Sequence, residues 1–129
     1  MTAKEVNDKY KEINGFDYNN GVVIDKVSKD EVISHIDATN TSLNVWGIVH
    51  GGLIFGLADT TAGILCYANG HESVTIDANI NYLKPVKNYL KAVATIIKPG
   101  KTINLYKVDI YNEKEELCAT VTFNFYNMN

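Results

Sequence analysis

The sequence predicts an α+β fold in which one antiparallel β-sheet wraps around a long central α-helix. Three observations predict it. Residues 52–68 are long enough for about four to five helical turns and carry a single charge, Asp59, among apolar and small residues. After this run the apolar period changes from 3.6 to 2 and stays there, in segments joined by short connections, to the end of the chain. Before it, two short β-branched runs read as a hairpin. A helix that is apolar nearly all round needs cover, and a curved sheet supplies it.

Taken in order, residues 2–13 predict an amphipathic helix. Thr2 and Glu5 have capping-box spacing, Val6, Tyr10 and Ile13 fall on one face, and Asn14-Gly15 stops it. Residues 21–27 and 31–36 are the hairpin strands, separated by Ser28-Lys29-Asp30. Residues 44–51 are irregular and glycine-punctuated, and they lead into the central helix, which ends at Asn69-Gly70. In residues 73–82 Val74, Ile76, Ala78, Ile80 and Tyr82 alternate with polar residues, the pattern of a half-buried strand. Residues 90–98 and 102–111 are further strands joined at Lys98-Pro99-Gly100-Lys101, where proline before glycine suits a type II turn. The apolar phase of the later strand slips between Leu105 and Tyr106, which suggests a β-bulge there. In the last strand Leu117, Ala119, Val121, Phe123 and Phe125 face one way. One sheet cannot enclose such a helix, and its outer strands leave edges, so at least a dimer is expected.

The 129 residues make one domain, expected to span 1–129, with no linker or low-complexity stretch. A net charge of −3, with lysines scattered along the chain, gives no attraction to nucleic acid. All twelve cationic residues are lysines, so any phosphate would meet point charges rather than guanidinium forks. Cys66 and Cys118 are too few and too far apart for a disulfide framework, and no cysteine and histidine cluster has zinc spacing. Neither a metal nor a cofactor is expected. The N-terminus lacks the apolar segment of a signal peptide, and a central helix holding an aspartate and glycines is a poor membrane span; a cytoplasmic protein is expected, with no membrane partner.

Asp59 is the candidate for chemistry. It lies two turns inside the helix, too deep to cap it, and its neighbours at i±3 and i±4 are Gly56, Phe55, Ala62 and Gly63. Gly56 and Gly63 each cost about 1 kcal/mol of helix stability relative to alanine, so close approach of another group must offset that cost. A carboxylate in such a slot is a general base, a nucleophile or a hydrogen-bonded structural group. Immediately before the helix, His50-Gly51-Gly52 places backbone amides at the positive end of the helix dipole, where a carbonyl oxygen can approach them as in an oxyanion hole. There is no GxSxG elbow, and neither cysteine has an activating neighbour in sequence.

The pattern Asn44-x-x-Gly47-x-x-His50-Gly51-Gly52, then Leu57-x-Asp59 and Gly63, resembles the signature of the PaaI-like and human thioesterase superfamily member 2-like hotdog thioesterases. Asn79-Ile80-Asn81-Tyr82-Leu83 resembles the family's N-I-x-Y-L strand, and Lys98-Pro99-Gly100-Lys101 its glycine turn, so the likeness covers residues 40–126. The resemblance implies a hotdog fold, a homodimer or homotetramer with active sites at the subunit interface, and hydrolysis of an acyl-CoA. Asp59 matches the catalytic acid, Gly51 the amide that polarises the thioester carbonyl, His50 the group that orients it, and Asn44 the residue that holds water or thioester. Thr75 stands near the acid in the same subunit, with Asn44, His50 and Gly51 coming from the other. Gly52 is a candidate for substrate contact, Phe55, Tyr67 and Tyr82 are candidates for an acyl pocket, and Lys84, Lys87, Lys98 and Lys101 are candidates for coenzyme A phosphates. Lys101 replaces an arginine common in relatives, which weakens phosphate recognition. Two rival readings are a non-catalytic acyl-CoA-binding domain and a hydroxyacyl thioester dehydratase; the second wants a histidine pattern that is missing here.

Overall fold

The computed structural model describes residues 1–129. Helix α1 (Ala3–Ile13) begins at Thr2, whose hydroxyl oxygen accepts from the Glu5 N–H at 3.1 Å, and ends at Asn14 in the left-handed conformation. The Glu5 side chain accepts from the Thr2 hydroxyl rather than reaching the Thr2 amide, so only half of the capping box forms. Val6 is buried, Tyr10 half-buried, and Ile13 is left in solvent. A short helix, α2 (Phe16–Asn19), occupies a stretch that carries no strong periodic signal.

Strands β1 (Val23–Val27) and β2 (Glu31–Asp37) form the hairpin, its turn held by the Ser28 hydroxyl accepting from the Glu31 N–H. A 3-10 turn at Asn40–Ser42 precedes helix α3 (Gly51–Ala68). Strands β3 (Ser73–Tyr82), β4 (Tyr89–Lys98), β5 (Ile103–Tyr111) and β6 (Leu117–Asn127) complete one antiparallel sheet, ordered β1-β2-β4-β5-β6-β3. The sheet curves around α3, which is the hotdog architecture.

The helix meets the sheet through Leu53, Ile54, Leu57, Ala58, Thr61, Ala62, Leu65 and Cys66, all buried. Alanines on both sides, Ala58 and Ala62 against Ala92, Ala94 and Ala119, let helix and sheet approach closely. The buried Thr61 hydroxyl donates to the Leu57 carbonyl at 2.6 Å and lies 2.6 Å from the Ser34 hydroxyl, so this polar pair is satisfied inside the core. Only one face of α3 is covered by the sheet. The other carries Gly56, Asp59, Gly63 and Tyr67, the last of these exposed.

Three expectations about the strands change. Gly100 does not adopt a positive φ, so the β4–β5 connection is not a type II turn; a Cβ there would stand 2.0 Å from the Ile103 carbonyl oxygen, and close approach is what requires glycine. The connection is pinned instead by Asn104, which accepts from the Gly100 N–H at 2.7 Å and donates to Asn127. Strand β5 keeps one alternation, with Asn104, Tyr106, Val108 and Ile110 inward, and the irregularity lies across from it, between Ile96 and Lys98 of β4. Strand β3 carries its own irregularity between Thr75 and Asp77, and eight of its ten residues are exposed, so it is not half-buried within one chain.

Candidate active site

The irregularity in β3 decides what faces Asp59. A strict alternation would put Thr75 on the same side as Asp77 and Asn79. The register instead pairs Thr75 with the buried Phe125 and Asp77 with Asn124, and directly opposed residues share a face. Thr75 therefore points to the helix side of the sheet. Its hydroxyl donates to Asp59 Oδ1 at 2.7 Å, while Asp59 Oδ2 makes no hydrogen bond within the chain. The half-buried carboxylate lies in a cavity of about 400 Å³ lined also by Tyr10, Thr60, Gly63, Ile64 and Phe125. A second carboxylate, Asp17 of α2, lines this cavity and accepts from the Thr60 hydroxyl at 2.6 Å. Burial, with Asp17 nearby, pushes the Tyr10 phenol upward, so that wall of the cavity is uncharged. Sequence reasoning passes over Asp17, Thr60 and Tyr10; Asp17 lies in a turn-rich stretch where an aspartate is unremarked.

The N-terminus of α3 is a second cluster. The His50 carbonyl accepts from both Leu53 and Ile54 N–H groups, and His50 Nδ1 accepts from the Gly52 N–H at 2.8 Å. An Nδ1 that accepts is unprotonated, so the imidazole presents any proton on Nε2. The Gly52 N–H is thereby engaged by His50, and a Cβ at 52 would stand 3.0 Å from that imidazole. The Gly51 N–H makes no hydrogen bond within the chain. It belongs to the His50–Gly51 peptide, whose carbonyl already accepts two bonds, and such polarisation strengthens the amide as a donor. Tyr82 lies over this turn: its hydroxyl donates to the Gly51 carbonyl at 2.7 Å. Tyr82 thus positions the helix start. Asn44 Oδ1 accepts from Trp46 N–H at 3.0 Å and Ile48 N–H at 3.4 Å, which shapes the loop before His50 and leaves Val45 and Trp46 in solvent.

These two clusters do not meet within one chain. Asp59 follows Gly51 by eight residues, about 12 Å along an α-helix, and none of Asn44, His50, Gly51 or Gly52 lines the Asp59 cavity. The lysines divide likewise. Lys84 and Lys87 follow the Tyr82 end of β3, whereas Lys98 and Lys101 lie at the opposite end of the sheet, about 33 Å away along a ten-residue strand. The Lys84 ammonium pairs with the Glu116 carboxylate, which raises the lysine and lowers the glutamate from their ordinary values. Of the three expected acyl-pocket aromatics, Phe55 packs against Phe123 in the core with rings 5.6 Å apart, and Tyr67 lines a larger cavity that adjoins the Asp59 cavity.

Other nucleophiles are weak. Cys66 and Cys118 are free and buried, and burial pushes the Cys66 thiol up to about 11 and the Cys118 thiol upward as well, so neither supplies a thiolate near neutrality.

Comparison with known proteins fits this geometry. Residues 47–119 match the thioesterase superfamily. The chain is 32% identical over 100 residues to the acyl-coenzyme A thioesterase PaaI of Escherichia coli, an alignment spanning 74% of this chain and 71% of that one. It superposes on the crystal structure of a Haemophilus influenzae thioesterase with a TM-score of 0.91 and 26% identity, covering 100% of this chain and 92% of the other. It also superposes on a hypothetical thioesterase of Streptococcus pneumoniae crystallised with coenzyme A, with a TM-score of 0.81 and 30% identity over 84% of this chain and 90% of the other.

Proposed function

The chain belongs to the thioesterase superfamily, and from that premise we propose that it hydrolyses an acyl-CoA thioester to the free acid and coenzyme A, using Asp59 as general base or nucleophile. The observation that carries this reading is a carboxylate with one oxygen held by Thr75 and the other free, at the wall of a cavity large enough for a reacting group.

In the general-base form, Asp59 Oδ2 takes a proton from water as the water oxygen bonds to the thioester carbon. The carbonyl electrons move to oxygen, where the Gly51 N–H of a second subunit donates to the developing charge. Collapse breaks the C–S bond, and the proton on Asp59 goes to the departing sulfur. In the nucleophile form Oδ2 itself bonds to the carbon, the C–S bond breaks and coenzyme A leaves as the thiolate; water then cleaves the mixed anhydride, which frees the acid and restores the carboxylate, and the proton released goes to the thiolate. Thr75 fixes the carboxylate in both, and His50 and Tyr82 hold the Gly51 peptide. No cofactor enters beyond the coenzyme A carried by the substrate.

A second subunit belongs to this proposal. The roughly 12 Å that separates Gly51 from Asp59 within one chain is too far for one carbonyl to meet both groups. Antiparallel pairing of two β3 edges brings the Tyr82 end of one chain, with its Gly51, beside the Ser73 end of the other, with its Asp59 and Thr75. It also brings Lys84 of one chain toward the end of the sheet that carries Lys98 and Lys101 in the other, where the phosphates of coenzyme A are read by point charges.

The test is thiol release from a panel of short, medium, long and aryl acyl-CoA substrates by the wild type and by Asp59→Asn, after both are shown to fold and assemble alike. The wild type is expected to turn over members of the panel, and the variant to lose about 10²-fold or more in kcat. If neither turns over any member while acyl-CoA binds to both, the protein is a non-catalytic acyl-CoA binder.

A further inference from the structure

The face of α3 turned from the sheet holds two glycines that flank Asp59, and the structure explains only one of them. A Cβ at Gly56 would meet the Phe16 ring of α2 at 3.1 Å, so glycine there admits α2. A Cβ at Gly63 would meet nothing within 4 Å. Mid-helix glycine costs about 1 kcal/mol relative to alanine, and at position 63 no group of the chain itself offsets it.

The space in front of Gly63 has a definite continuation. The Asp59 cavity and a larger one of about 800 Å³ share Tyr10, Gly63, Ile64 and Ser73 as walls, so the two form one groove that passes Gly63. Beyond the glycine the groove runs between α1 and the C-terminal half of α3, with Val6 and Tyr10 on one side, flanked by Glu5 and Lys9, and Ile64 and Tyr67 on the other. Its volume is within the range of ligand sites, and half of its lining residues, Val6, Tyr10, Ile64 and Tyr67 among them, are hydrophobic. His71 and Glu72, which follow the helix, line its end.

We propose that this groove holds the acyl chain of the substrate, that Gly63 is the gate through which the chain passes from the reacting carbon, and that the preferred substrates are acyl-CoA thioesters of medium length. The inference rests on the thioesterase reading above. The length follows from the helix. Tyr67 lies eight residues beyond Asp59, about 12 Å along α3. A C–C bond of about 1.5 Å advances an extended zig-zag chain by about 1.3 Å, so about nine carbons reach from the carboxylate to Tyr67. A longer chain arrives at His71 and Glu72 and at solvent, where further methylenes gain little.

The experiment measures kcat/KM for straight-chain acyl-CoA substrates from acetyl to palmitoyl with the wild type, Gly63→Leu and Tyr67→Ala, and the assembly state of each by light scattering. For Gly63→Leu the loss relative to wild type is expected to grow with chain length, and to be about tenfold or more greater for decanoyl than for acetyl. For Tyr67→Ala, which opens the end of the groove, the preference is expected to move toward longer chains. A preference unmoved in both variants overturns the inference while leaving the thioesterase reading intact. Equal loss at every length together with altered assembly in Gly63→Leu also overturns it, because Gly63 then spaces a second subunit. If Gly63→Leu does not fold, Tyr67→Ala decides, and an unchanged profile counts against the groove. Absence of wild-type turnover on the whole series removes the thioesterase reading itself.

Discussion

Strand β1 at one edge of the sheet is closed by the chain's own side chains, whereas β3 at the other edge is left bare. Helix α1 lies against β1, and the Asn7 amide donates to the Ile24 carbonyl and accepts from the Ile24 N–H, both at 2.8 Å, so one side chain replaces a neighbouring strand at the position where Val6 and Ile24 are buried. Nothing equivalent covers β3, where Val74, Ile76 and Tyr82 are about half exposed. An open edge invites pairing, and folds protect the edges they do not use. The open edge carries Thr75 at one end and Tyr82, on the Gly51 turn, at the other. That contrast supports β3 as the edge of the proposed assembly, since its two ends carry the two groups that the proposed chemistry needs together.

Four substitutions test that contrast, and the largest effects are expected on the bare edge. Asp59→Asn is expected to remove about 10²-fold or more of kcat without altering assembly, read by thiol release and light scattering. Ile76→Lys places a charge on the open strand and is expected to give monomers, with activity falling as far as in Asp59→Asn because Gly51 and Asp59 are then separated. A fully active monomeric Ile76→Lys would break the comparison. Thr75→Val keeps shape and removes the hydroxyl that holds Asp59 Oδ1; about a tenfold fall in kcat is expected with assembly unchanged, on the scale of one hydrogen bond to a charged group. On the closed edge, Asn7→Ala is expected to cost about 1–3 kcal/mol in urea unfolding, because it leaves the Ile24 backbone groups without partners, and to leave kcat and assembly as they are. Loss of assembly in Asn7→Ala would mean that the two edges are not distinct in role.

Much of the site is legible in the residues themselves. The isolation of Asp59 within an apolar helix marks one half of it, because a charge there carries a cost that local sequence cannot offset, and the glycines beside His50 mark the other, because they leave open amides at the start of a helix. Thr75 is legible only through its likeness to a family pattern. Nothing in residues 73–82 announces that the strand departs from strict alternation after Thr75, since the bulge depends on the register with β6, about fifty residues later. Gly52 and Tyr82 are recognisable as belonging near the site, but their partners, the His50 imidazole and the Gly51 carbonyl, are set by how the turn folds back on the end of β3.

By itself the sequence determined the main elements and their order: one long apolar helix, a hairpin before it, four strands after it, and one carboxylate in an otherwise uncharged helix. Periodicity and caps act over a few residues, so they are readable locally. Only the tertiary structure decided which edge stays open, which polar residue of β3 turns toward Asp59, that Gly56 serves α2 while Gly63 faces empty space, and that the four candidate lysines stand at opposite ends of the sheet. Those outcomes depend on strand register and on groups brought together across the chain, where a shift of one residue exchanges the two faces of a strand.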